Sequence, residues 1–135
     1  MKRRDLLKAG AALGFGAVAA PAQVAAAPNP GGPVTVITVA DGPALSDTLT
    51  GFTLYVFTQD QPNRSTCDLA CSLQWPPFVV PGDAAVSGDW SVAQRTDGIR
   101  QWAFRGRPLY FSAQDLQPGD TKGHGADAAW QVARP

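Results

Sequence analysis

The sequence predicts an all-β fold: a small single domain of two pseudo-repeated antiparallel β units with one short helical insert. Three observations carry this. The decapeptide GFTLYVFTQD at 51–60 returns as GRPLYFSAQD at 106–115, with Gly, Leu, Tyr, Gln and Asp identical, and near-duplication of that kind marks two copies of one supersecondary unit. Helix-favouring residues are scarce, with no Glu and no lysine after Lys8 except Lys122, while 14 Gly and 12 Pro supply turns. Finally, removal of an export signal leaves roughly 110 residues, enough for one domain and too few for two.

The elements follow in order. Residues 1–26 read as a twin-arginine-type signal peptide: Arg3-Arg4 and Lys8 form a basic head before a short Ala/Gly-rich apolar run, too short and weakly apolar to span a membrane. Cleavage after Ala22 or near Ala26 fits, and residues 27–33 are a linker containing PNPGGP. The domain occupies 34–135, with repeat units at about 34–77 and 90–128 and a final strand at about 129–133. Strands are expected at 34–40, 51–58, 90–95, 99–105, 108–112 and 129–133, with a weaker one at 46–49, bounded by turns such as Asp41-Gly42, Asp97-Gly98 and Pro118-Gly119-Asp120. Trp130-Gln-Val-Ala-Arg echoes the rhythm of Trp90-Ser-Val-Ala-Gln-Arg. Between Ser65 and Pro77 the strand rhythm stops. Ser65 with Asp68 resembles a capping pair, Pro76-Pro77 is a stop, and the segment reads as a helix of about two turns.

The mature chain keeps seven of eleven basic residues and ten of eleven acids, a net charge of −3. That balance argues against a nucleic-acid partner. Arg95, Arg100, Arg105 and Arg107 crowd one hairpin and read as a solvated face.

Cys67 and Cys71 are the two cysteines, one helical turn apart, and an oxidising compartment makes them a disulfide bracing the insert. The competing reading is a redox or copper(I) site in which His124 joins the two thiolates. Asp60 and Asp115 stand after equivalent strands, as turn-starting carboxylates or, if they converge, as an acid–base pair. Tyr55 and Tyr110 are core anchors or site-lining groups. No nucleophile elbow, phosphate loop or metalloprotease helix is present in the sequence.

GFTLYVFTQD, STCDLACSLQWPP, DGIRQWAFRGRPLYFSAQD and PGDTKGHG together resemble the bacterial secreted-repeat family of predicted lipoproteins with a Yx(FWY)xxD motif. Tyr55, Phe57 and Asp60 satisfy the motif, whereas Tyr110 and Asp115 satisfy it in part because Ser112 stands at the aromatic place. The signal ends without a lipobox cysteine, so the mature form is expected to carry no membrane anchor. The resemblance implies no biochemical activity. The expected function is an exported, periplasmic or secreted, non-enzymatic binding or structural module of the cell envelope, without a cofactor, facing an envelope component or small ligand. The alternatives are a redox or copper-handling protein using Cys67 and Cys71, and a carbohydrate or cell-wall binder using Trp75 and Trp102.

Overall fold

The computed structural model describes residues 30–135; the signal segment lies outside the described residues. Seven strands, one α-helical turn and one 3-10 turn follow in order among the described residues: β1 (Val34–Val39), β2 (Gly42–Asp47), β3 (Tyr55–Phe57), α1 (Leu69–Ser72), β4 (Trp90–Ala93), β5 (Gln101–Phe104), β6 (Arg107–Pro108), the 3-10 turn (Ala126–Ala128) and β7 (Trp130–Val132). All pairings between these strands are antiparallel: β1 with β2, β3 with β7, and β4 through β5 to β6. Among the described residues no helix is long and apolar enough to cross a membrane.

Turn chemistry sets the hairpins. Val39 pairs with Gly42 across a two-residue turn, so β2 begins at once rather than at the weak 46–49 strand read from the sequence. Residues 48–50 instead form the next turn, where the Asp47 carboxylate accepts from Leu49 N–H and Thr50 Oγ1. In the second unit Arg105 and Gly106 both take positive φ, 51° and 82°, the two-residue hairpin conformation that matches strand twist.

Backbone bonds reveal how the units interlock. Leu45 N donates to Ala133 O at 2.9 Å and Trp102 N to Phe78 O at 2.8 Å; Thr58 N donates to Ala129 O at 2.8 Å and Ala113 N to Gln74 O at 2.9 Å. The segment 74–80 is thus the counterpart of 129–135, and each unit's last segment crosses to pair with the other unit. Trp130 therefore corresponds to Trp75, not to Trp90 as its local rhythm suggests.

The insert also differs from expectation. The helix is one turn long, and its cap is Asp68 alone, whose carboxylate accepts from Cys71 N–H at 3.0 Å. Ser65 faces elsewhere, into the core. The main apolar core lies between the hairpins of the two units, where Leu45, Leu54 and Leu109 are fully buried beside Trp90, Trp102 and Phe104. Trp102, expected on the surface by the carbohydrate reading, belongs to this core.

Candidate functional site

Tyr55 and Tyr110 exchange both backbone hydrogen bonds, Tyr55 N to Tyr110 O at 2.8 Å and Tyr110 N to Tyr55 O at 2.9 Å. They form a hydrogen-bonded antiparallel pair, and the axis relating the two units runs between them. Directly opposed residues present side chains to one face of a ladder, so the two phenols start from a common base and lean in opposite directions.

Each phenol reaches the carboxylate of the other repeat. Tyr55 Oη donates to Asp115 Oδ2 at 2.7 Å, and Tyr110 Oη donates to Asp60 Oδ2 at 2.7 Å. The second oxygen of each carboxylate holds the loop that follows: Asp60 Oδ1 accepts from Thr66 N–H and Thr66 Oγ1, and Asp115 Oδ1 from Lys122 N–H. The four motif residues thus form two crossed pairs rather than one converging acid–base dyad. Both tyrosines are fully buried. Desolvation, and then the bond to its partner carboxylate, raises the pKa of Tyr55 well above that of a free phenol; desolvation is the leading cause for Tyr110 as well. Burial likewise raises the pKa of Asp115, with the Tyr55 hydrogen bond opposing it.

Around this centre stands an aromatic ladder. Phe57 stacks on Trp130 at 4.3 Å, and Trp130 stacks on Trp75 at 3.9 Å with planes 2° apart; Tyr55 and Tyr110 meet Trp75 and Trp130 edge-on. The stacked tryptophans are the equivalent pair of the two crossing segments. Ser112, at the aromatic place of the second motif, is buried, and its hydroxyl accepts from Gln114 N–H.

The insert is fastened to the same centre. Cys67 and Cys71 are joined in a disulfide with Cα atoms 5.2 Å apart, and Cys67 packs with Tyr110 and Trp130. Ser65 Oγ lies 2.6 Å from the Tyr110 hydroxyl. Sequence reasoning missed Ser65 as a core partner and misread Arg95, whose side chain is only 2% exposed. Its guanidinium holds Asp97 through Nε and Nη2, Gln101 Oε1 at 2.9 Å and Ser72 Oγ at 2.9 Å, which ties the second unit's hairpin to the insert. That bonding lowers the Asp97 pKa to about 2. The segment gave one usable signal, the spacing of Arg95 and Asp97 across a turn.

His124 lies apart from this chemistry: Nδ1 accepts from Val132 N–H at 3.1 Å, and Nε2 is 3.5 Å from Asp41 Oδ2. Among the described residues no three His, Cys, Asp or Glu side chains gather as a metal-holding group. The surface of the described residues includes two hollows. One, of about 360 Å³, runs beside β3 between the loop after Asp60 and the β5–β6 turn. The other, of about 580 Å³, is an apolar groove lined by Leu49, Phe78, Val79, Trp102 and Phe111.

A family described as a secreted repeat of unknown function matches residues 35–79 and 91–134, the two interlocked units. No curated protein and no solved structure matches the chain.

Proposed function

The chain belongs to that family of secreted repeats, and we propose that it serves as a non-enzymatic binding module of the cell envelope. Folded export through the signal at 1–26 would place it in the periplasm or outside the cell, and the family description supports an exported location. One observation carries the non-enzymatic reading: the two motif phenols are fully buried and spent on the motif carboxylates. A general acid or base must reach a substrate proton and hold a pKa near working pH. The Tyr55 and Tyr110 phenols are fully buried, bonded and shifted away from neutrality. Their role is to lock the repeats, which leaves recognition to the surface.

The reading separates two classes of variant. Mature protein carrying Tyr55→Phe or Tyr110→Phe should unfold at lower temperature yet sediment with purified cell-wall sacculi as the parent does when assayed while folded. A Tyr55→Phe or Tyr110→Phe variant that keeps its unfolding temperature and loses sacculus binding would make the buried tyrosine pair a ligand site instead.

A further inference from the structure

We propose that the 360 Å³ cleft beside β3 is a binding site for an acidic saccharide, a pyranose ring bearing an anionic substituent. The inference rests on the binding-module reading and supplies its ligand class. Its volume falls in the usual range for a small-molecule site, where a flat apolar surface and a few oriented polar groups give specificity.

Both requirements are met by residues of the cleft lining. Phe57 is the single aromatic residue of the lining, half-buried, with one ring face stacked on Trp130. Its other face suits the apolar side of a sugar ring. Thr58, Gln61, Gln131 and Arg107 also line the cleft, and their side chains make no hydrogen bond or ion pair among the described residues. Two planar amides and a hydroxyl can share donors and acceptors with adjacent sugar hydroxyls. The Arg107 guanidinium supplies a fork for a carboxylate or phosphate. Arg105, also in the lining, differs: it lies over the Phe104 ring at 4.7 Å and reaches Asp89 at 3.3 Å, so it adds positive field without being free to clamp. The Asp60 carboxylate, already bonded to Tyr110 and Thr66, forms a fixed wall.

The cleft is not an automatic product of the repeat. At the equivalent junction of the other half, Pro118 closes on Gly51, where a Cβ would lie 3.0 Å from the proline ring, against 3.9 Å between Gly106 and Pro62. The turn there, Thr48 to Gly51, contains no cation. One half is sealed, and the other is open and basic. The apolar groove offers no comparable set of polar side chains to orient a ligand.

Calorimetric titration of the mature protein with trigalacturonate, glucose 1-phosphate and maltotriose tests this. Binding by either anionic probe and at least about tenfold weaker binding by the neutral one are expected, with the better anion identifying carboxylate or phosphate as the natural substituent. Arg107→Gln should weaken the anionic probe about tenfold with no change in unfolding temperature, Arg107→Lys should restore part of the loss, and Arg100→Gln, outside the cleft, should change nothing. Equal binding of maltotriose, indifference to Arg107→Gln, or no binding of any probe would overturn the site. If no probe binds while the protein still sediments with sacculi, only this site fails; if sacculus binding is absent too, the binding-module reading falls with it.

Discussion

The two crossed pairs occupy equivalent places and are built differently. In the half centred on Tyr110 and Asp60, the phenol has a second partner in Ser65, the carboxylate accepts from both N–H and hydroxyl of Thr66, and the disulfide presses Cys67 against Trp130. In the half centred on Tyr55 and Asp115, the phenol accepts a longer 3.3 Å bond from Gly123 N–H, and the loop is held by Lys122 N–H. Thr66 and Lys122 are equivalent, so Cys67 stands where Gly123 stands. One half fills the space beside its tryptophan with sulfur. The other half lets the tryptophan rest on bare backbone. Duplication preserved the hydrogen-bond lock and let each loop find its own packing against the ladder.

The largest expected effect is alkaline, because both halves bury a neutral phenol. A tyrosine whose folded pKa exceeds its unfolded value contributes stability that is intact below about pH 10 and lost as pH rises toward the folded pKa, at about 1.4 kcal/mol per pH unit for each group. With both tyrosines of the chain buried, stability should fall at about 2.7 kcal/mol per unit above pH 10, enough to unfold a domain of ordinary stability within a few units. Tyrosinate absorbance should appear in step with loss of near-ultraviolet dichroism. A tyrosine that ionises while the fold persists would show its half to be open.

Next in size is the crossing itself. Removing a buried phenol that is hydrogen-bonded to a carboxylate should cost about 2 kcal/mol, with Tyr110→Phe the more damaging because Ser65 also loses one of its partners. Double-mutant cycles by denaturant unfolding should give a coupling of at least about 1 kcal/mol for Tyr55 with Asp115 and for Tyr110 with Asp60, and a smaller one for Tyr55 with Asp60. Stronger coupling within a repeat than between repeats would break the crossed arrangement.

The repeat was legible because it is written in identity of residues, and the all-β class because turn formers crowd a chain poor in helix formers. The crossing was not legible. Tyr55 and Asp115 are 60 residues apart, and Tyr110 and Asp60 are 50 apart, while strand periodicity speaks only of which residues share a face. Pro76-Pro77 read as a stop because neither residue has an N–H to donate. The segment pairs nonetheless through its acceptors: Phe111 N–H donates to Pro76 O. Arg95 read as a surface cation because its neutral partners, Ser65, Ser72 and Gln101, come from three separate segments. The cleft forms between a loop of one unit and a turn of the other, and no local pattern encodes such a junction.

The difference between the loops can be sharpened by substitution. An alanine Cβ at Gly123 would lie 2.6 Å from the Trp75 ring and 3.0 Å from Ser112 Oγ, so Gly123→Ala should cost about 1–3 kcal/mol through overpacking. At the equivalent place, replacing Cys67 and Cys71 by serine should cost about 2 kcal/mol, the value for so short a closed loop. Urea titrations of both variants distinguish sulfur-filled from backbone-packed halves. A harmless Gly123→Ala would mean that Trp75 can withdraw and that the ladder is looser on that side.

The smallest effect should run in the opposite direction. Thr53 is 1% exposed, and its hydroxyl is the buried side-chain polar atom without a hydrogen-bond partner among the described residues. In the other decapeptide the same place is Pro108, equally buried and with no polar side-chain atom. The first half therefore carries a desolvated hydroxyl that the second half shows to be dispensable for the lock. Valine keeps the β-branched shape that suits a strand and removes the unsatisfied group, whose burial typically costs about 1–3 kcal/mol. Thr53→Val should leave the urea midpoint unchanged or raise it, by up to about 1 kcal/mol of stability. A clear loss of stability would mean that the hydroxyl has a partner in solution, and that the two halves differ at this position by a bond rather than by a vestige.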